Sequence, residues 1–210
     1  MRWDVTVRVK ICGITSVEDA HAAISAGADA IGLMCYPPSP RYVSPELARA
    51  ITLSAAPFVT VIAVVVDEHP EELKSLLEVL PVDLVQFHGD ESPEECQAQG
   101  RPYIKALRMR EGFSIDHEVS RYTDSRGILL DTYDPSLAGG TGMPFAWDRV
   151  PATCEKSIII AGGLNPGNVR EAIAVAHPQG VDVSSGVESD KGLKDSELMR
   201  QFVAAAKAGR

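Results

Sequence analysis

The sequence contains no long apolar run. Its longest, Val61–Val66 with Phe58 and Val59 nearby, falls far short of the roughly 20 residues that cross a bilayer. Nor does an apolar signal core follow Met1-Arg2-Trp3-Asp4, so neither a membrane span nor a secretory leader is expected. Cysteine is scarce and scattered. Cys12, Cys35, Cys96 and Cys154 form no C-x-x-C pair, which argues against a zinc or other metal site and against a disulfide framework. A reducing, cytoplasmic setting fits such usage. Positive charge is also short, with 20 Lys and Arg against 29 Asp and Glu, for a net −9. A nucleic-acid partner requires a basic face and is not expected. A small phosphorylated ligand remains compatible, because backbone N–H groups hold phosphate without net positive charge.

What the chain does have is alternation. Strand-like runs at Val7–Ile11, Ala30–Met34, Val59–Val66, Leu84–Phe87, Tyr103–Leu107, Gly127–Leu130, Ile158–Ala161 and Val181–Val183 are separated by helix-like segments. Helix starts are marked by Thr15 with Glu18 three residues on, by Ser44 followed by Pro45, and by Pro70 and Pro93, as capping chemistry requires. Weaker helical segments fall at Asp116–Tyr122 and near Trp147–Val150, and a last one runs from Asp195 to about Ala206. No linker, low-complexity stretch or second domain interrupts the pattern, so residues 1–210 read as one domain. Unbroken β–α alternation reads as parallel α/β. Two arrangements compete, an open doubly wound sheet and a single (β/α)8 TIM barrel with a closed, parallel, eight-stranded sheet. The chain is short for the barrel, where roughly 250 residues is typical, so its helices must be short.

The barrel is favoured by Ser157–Glu188. Its two apolar strands run into Gly162-Gly163 and into Ser184-Ser185-Gly186, with Asn165-Pro166-Gly167-Asn168 opening a helix between them. Each glycine pair alone reads as a tight strand-to-helix turn. Two in tandem on neighbouring strands point to one shared phosphate site, as lies above strands 7 and 8 of such barrels.

Barrel active sites lie at the C-terminal ends of the strands, which here carry Cys12, Cys35–Arg41, Asp67, His88, Arg108, Asp131, Gly162-Gly163 and Ser185-Gly186. Side chains alternate along a strand. With Val9 and Ile11 packed outward, Lys10 and Cys12 point inward; with Val181 and Val183 outward, so do Asp182 and Ser184. An inward lysine needs a partner, so a Lys10–Asp182 ion pair beneath the site is expected, the alternative being a Lys10 that snorkels to a strand edge. A lone cysteine such as Cys12 is ordinarily a small buried hydrophobe, and a strand-end aspartate such as Asp131 an ordinary turn former. His88 reads first as a satisfied core histidine beside the pocket. Arg41 reads as a solvated charge or as a fork for a carboxylate.

Val9-Lys10-Ile11-Cys12-Gly13-Ile14-Thr15 closely resembles the opening motif of the phosphoribosylanthranilate isomerase family of tryptophan biosynthesis. The resemblance runs on through Ser39-Pro40-Arg41-Tyr42-Val43, Val85–Glu91, Leu129-Leu130-Asp131, Gly139-Gly140-Thr141-Gly142, Ala161–Val169, Val181–Glu188 and Gly192–Asp195, nearly the whole chain in order. Three departures are visible. Gly32-Leu33-Met34-Cys35 stands in place of Gly-Phe-x-Phe, Phe145-Ala146-Trp147 in place of Phe-Asp-Trp, and Lys191 in place of a proline. The first bears on the pocket for the substrate's aromatic ring.

The resemblance implies an Amadori rearrangement without a cofactor, converting N-(5-phosphoribosyl)anthranilate to 1-(2-carboxyphenylamino)-1-deoxyribulose 5-phosphate. It implies Asp131 as general acid and Cys12 as general base, with Arg41 holding the anthranilate carboxylate. Phosphate would lie on Gly162, Gly163, Ser185 and Gly186, with Gly142. It leaves monomer and homodimer both open. Burial beside Leu130 is expected to raise the Asp131 pKa, and Lys10 to lower that of Cys12 unless Asp182 occupies it. Two other functions fit such a barrel: a related aminoaldose isomerase of histidine biosynthesis, which carries aspartate where this chain has Cys12, and a non-catalytic phosphate-ligand sensor.

Overall fold

The computed structural model describes residues 6–110, 112, 114–132, 146–151 and 153–208. Eight parallel strands close into a barrel in simple sequential order: β1 Arg8–Cys12, β2 Ala30–Met34, β3 Thr60–Val65, β4 Leu84–Phe87, β5 Tyr103–Met109, β6 Gly127–Thr132, β7 Ile158–Ile160 and β8 Gly180–Val183. The open-sheet alternative is excluded by the pairing of β1 with β8, in which Lys10 lies directly opposite Asp182. Among the described residues seven helices surround the strands: α1 Val17–Ser25, α2 Pro45–Ser54, α3 Pro70–Val79, α4 Pro93–Ala98, α5 Ile115–Arg121, α6 Val169–Ala176 and α7 Ser196–Lys207. A single 3-10 turn at Trp147–Arg149 precedes β7. These helices are short, which is how 210 residues accommodate the architecture.

Local chemistry explains where the helices begin. Ser44 accepts from the Leu47 N–H with Pro45 in the first turn, and Ser92 and Glu95 form a reciprocal capping box at α4, each removing an orphan donor. At α1 the cap is Ser16, whose hydroxyl accepts from Asp19 N–H. Thr15, expected as the cap, instead donates to the Gly192 carbonyl at 2.8 Å. One residue of displacement therefore turns a capping residue into a tie between the loop after β1 and the end of the chain.

The alternation of each strand divides the interior in two. Outward residues such as Val9, Ile11, Ile31, Leu33, Val61, Val85, Phe87, Ile128, Leu130, Ile160, Val181 and Val183 join the buried layer against the helices. This layer is the main apolar core, each fully buried large side chain contributing about 1.5–3 kcal/mol. Inside the barrel the packing is thinner: Ala106, Leu129 and Ala161 form a small separate cluster with Ile159 against it. Ile62, Val64 and Ile104 are also buried on these inward faces, and the centre of the interior is an ion pair. Lys10 Nζ donates to both carboxylate oxygens of Asp182 at 3.0 Å, with the two side chains 5% and 7% exposed. Lys10 does not snorkel.

Beyond β8 the chain adds two features the strand pattern did not announce: a 3-10 turn at Ser185–Val187 and a small hairpin of β9, Glu188–Asp190, with β10, Leu193–Lys194. No described helix is long and apolar enough to cross a membrane.

Removing one partner of the central pair leaves the other charge buried and unsatisfied. Lys10→Met is therefore expected to destabilise by about 3–5 kcal/mol. The double change Lys10→Met with Asp182→Asn should recover part of that loss. Chemical denaturation of the three proteins checks this, and equal stability of wild type and Lys10→Met would contradict it.

Candidate active site

The central pair supports the first site residue. Lys10 and Cys12 lie on one face of β1, and the ends of both side chains lie over Gly32. Burial works against the Lys10 charge, but Asp182 and Cys12 outweigh it and its pKa is raised. Cys12 is only 7% exposed, and burial pushes its thiol above the ordinary value despite the opposing pull of Lys10. Of the two outcomes left open for the thiol, the structure takes the second: Asp182 claims the ammonium, and desolvation dominates. Burial thus favours the neutral thiol of Cys12 in the resting barrel.

On the other side, β6 runs two residues further than its apolar stretch suggests, so Asp131 belongs to the strand and is fixed by it. Its Oδ1 accepts from the Thr132 N–H at 2.8 Å and its Oδ2 faces His88 Nε2 at 3.1 Å. His88 is oriented from behind by Gln86, whose Nε2 lies 2.8 Å from Nδ1. With the Gln86 amide donating, His88 carries its proton on Nε2 and donates to Asp131. The plain reading of His88 as a core histidine is therefore replaced by one in which it touches the candidate acid. A second buried pair stands behind this loop: Lys105 bonds Glu91 at 2.8 Å and the Gly89 carbonyl at 2.7 Å. Glu91 in turn accepts from the backbone N–H groups of Asp67 and Gly89, so the strand ends of β3 and β4 are fastened together.

The two glycine-rich strand ends meet as expected. Gly162 and Gly163 both adopt positive φ, +78° and +66°. A Cβ on Gly162 would collide with Thr132 and crowd the Asp131 carboxylate, so only glycine lets the end of β7 pass beside the acid. A Cβ on Gly186 would collide with the Leu164 carbonyl, which places the turn after β8 directly against the segment after β7. Asn168 Oδ1 accepts from Asn165 N–H and its Nδ2 donates to the Gly163 carbonyl, holding that segment in shape. Gly162, Gly163, Ser185 and Gly186 are brought together; Gly142 lies outside the described residues.

Arg41 takes an arrangement the sequence did not show. Its stem crosses Gly13, next to Cys12, and its guanidinium grips Glu188 through two bonds, Nε to Oε1 at 2.7 Å and Nη2 to Oε2 at 2.8 Å. Glu188 also accepts from Lys194 Nζ at 2.7 Å, and Lys194 donates to the Ser184 carbonyl at 3.1 Å. Burial alone would raise the Glu188 carboxyl; the bonds from Arg41 and Lys194 reverse this and hold it at about 2. Glu188 and Lys194 were not singled out from sequence. The available signal was a carboxylate and an ammonium six residues apart across Asp190-Lys191-Gly192, a hairpin in which they pair.

The strand-2 departures separate by face. Leu33 and Cys35 lie in the outer core, and Cys35 also lines a cleft of about 500 Å³ outside the barrel with Pro45, Glu72 and Leu76. Met34 is the half-buried member on the inward face. Among the described residues no group of three or more His, Cys, Asp or Glu side chains could hold a metal ion.

Comparison with known proteins agrees with this geometry. The family model for N-(5'-phosphoribosyl)anthranilate (PRA) isomerase matches residues 9–205. The N-(5'-phosphoribosyl)anthranilate isomerase of Pseudomonas putida strain F1 is 53% identical over 201 residues, covering 96% of this chain and 98% of its own. The crystal structure of the Thermotoga maritima phosphoribosyl anthranilate isomerase superposes with a TM-score of 0.88 at 40% identity, covering 96% and 99% of the two chains. A phosphoribosyl anthranilate isomerase in complex with reduced 1-(o-carboxyphenylamino)-1-deoxyribulose 5-phosphate gives 0.81 at the same identity and coverage. A thiol and a carboxyl on opposite sides of a glycine-lined strand-end site, in a barrel matched end to end by these relatives, place this chain in the N-(5'-phosphoribosyl)anthranilate isomerase family, isomerases of tryptophan biosynthesis.

Proposed function

We propose that the barrel carries out its family's Amadori rearrangement with Asp131 as general acid and Cys12 as general base. The observation that carries the assignment is their placement, on β6 and β1, flanking the glycine-rich ends of β7 and β8. Asp131 in its protonated form gives its proton to the furanose ring oxygen and opens the ring to a Schiff base; Cys12, once ionised to the thiolate, then takes the proton from C2. The resulting enolamine tautomerises to the ketone. His88 holds the Asp131 carboxyl in one orientation from Oδ2. Backbone N–H groups of Gly163, Ser185 and Gly186 hold the phosphate, with Gly162 giving close approach. Arg41 holds the anthranilate carboxylate at the other end. Fixing both ends of the substrate positions its reacting carbons between acid and base.

Cys12 separates this reading from the aminoaldose isomerase of histidine biosynthesis, whose corresponding strand end carries aspartate. The pair Cys12 and Asp131 separates it from a passive sensor. The partner is a small phosphorylated substrate rather than nucleic acid or membrane. Four free cysteines support a cytoplasmic setting. A relative solved as monomers generated from a dimeric phosphoribosylanthranilate isomerase supports the homodimer among the two assembly states.

Cys12→Ser and Asp131→Asn are each expected to lower kcat by about 10²–10⁴-fold, with binding of the reduced product analogue largely retained. Near-normal turnover in either variant contradicts the assignment. A second expectation follows from the raised Cys12 pKa. The thiolate forms only as pH rises through a value above about 8.5, so alkylation of Cys12 by iodoacetamide, followed by peptide mass spectrometry, should accelerate only above that pH. Full reactivity at pH 7 would show that the thiol is not held neutral.

A further inference from the structure

An arginine already gripped on two atoms by a carboxylate is a neutral pair, and a neutral pair has little attraction for a second carboxylate. Arg41 with Glu188 is such a pair. Its neutrality is broken by Lys194, whose side chain is fully buried and lies 2.7 Å from the same Glu188 oxygen that Arg41 Nε uses. Two cations thus share one anion. The other nearby acid, Asp19, is only partly buried, so water screens its charge. The other buried cation on this side of the barrel, Lys10, is already balanced by Asp182.

We infer that Lys194 and Glu188 are positioning residues for substrate recognition: Glu188 fixes the direction of the Arg41 fork, and Lys194 restores the net single positive charge with which Arg41 receives the substrate carboxylate. This rests on the role proposed for Arg41 and extends it to two residues that need not touch the ligand. Hairpin β9–β10 exists on this account to carry both charges. It folds Lys194 back onto Glu188, and the tie from Thr15 to the Gly192 carbonyl fastens the hairpin tip to the loop after β1, close to Arg41 and Cys12. The guanidinium donors that Glu188 does not use are left for a ligand that is anionic at both ends and that the protein's overall −9 charge would otherwise repel.

The test compares two ligands on the full-length protein by calorimetry: reduced 1-(2-carboxyphenylamino)-1-deoxyribulose 5-phosphate, and the same molecule with an unsubstituted phenyl ring. The ratio of their dissociation constants isolates the carboxylate within each variant. Lys194→Met should reduce the preference for the carboxylate by about tenfold while leaving the phenyl ligand's affinity unchanged. Lys194→Gln, which keeps a donor for the Ser184 carbonyl, should do the same if the methionine variant folds poorly. Adding Glu188→Gln to either removes the anion but keeps an amide oxygen to accept from Arg41 and hold its direction; it returns the cluster to one positive charge and should recover most of the preference. A purely structural Lys194 predicts the reverse, a double variant at least as impaired as the single. Retention of the preference in both Lys194 variants, or its further loss in the double, overturns the inference while leaving Arg41 in place. Retention in Arg41→Met would overturn the carboxylate role of Arg41 and this inference with it.

Discussion

The ion pair between Lys10 and Asp182 is the constraint on which the rest of this barrel depends. It spans the seam where the first strand meets the last, with the two residues in register and both nearly removed from water. Such a pair gains little net stability, since desolvation offsets most of its attraction. Its consequence is positional. An apolar interior would tolerate small shifts between β1 and β8; a buried ion pair with two 3.0 Å bonds does not. Cys12 and the Ser184–Gly186 turn are the next residues along those two strands, and both inherit this register.

The same economy of charge recurs around the site. Three buried cations, Lys10, Lys105 and Lys194, are each matched to a specific carboxylate, Asp182, Glu91 and Glu188. Each cluster also fastens neighbouring strand ends or loops. The proposed chemistry then has the groups it needs with little loose charge: a thiol that burial keeps neutral until it ionises to act as base, a carboxyl oriented by His88, and one arginine fork with a third partner behind it. On the proposed reading, a protein of net −9 accepts a substrate anionic at both ends because backbone dipoles hold the phosphate and a local excess of one positive charge holds the carboxylate.

Much of this was legible in the sequence, for a physical reason. Period-two alternation forces Lys10, Cys12 and Asp182 inward once Val9, Ile11, Val181 and Val183 pack outward, and parallel closure then brings Lys10 against Asp182. Paired glycines at two strand ends announce close backbone approach. What escaped was set by tertiary contact. Whether Thr15 or Ser16 caps α1 depends on what the other hydroxyl can reach, and Gly192 lies far along the chain. His88 looked like any core histidine because nothing local shows that Asp131 lies on a neighbouring wall. Arg41 was assigned to a ligand, and its grip on Glu188 was invisible because the two are separated by most of the sequence. Which way the Cys12 thiol shifts stays open in the sequence, because a single lysine cannot neutralise Asp182 and activate a buried thiol equally and only the tertiary contact shows where it goes.

The account's central claim is that a substrate held at its two ends lies with its C1–C2 bond between Cys12 and Asp131. The most direct test is a crystal structure of this protein with reduced 1-(2-carboxyphenylamino)-1-deoxyribulose 5-phosphate bound. The account predicts phosphate on the Gly163, Ser185 and Gly186 N–H groups and carboxylate on Arg41. It also predicts Cys12 Sγ and an Asp131 oxygen on opposite sides of C1–C2, each within hydrogen-bond reach or one water of it. A ligand bound with either residue pointing away from those carbons, or with its carboxylate remote from Arg41, would contradict it.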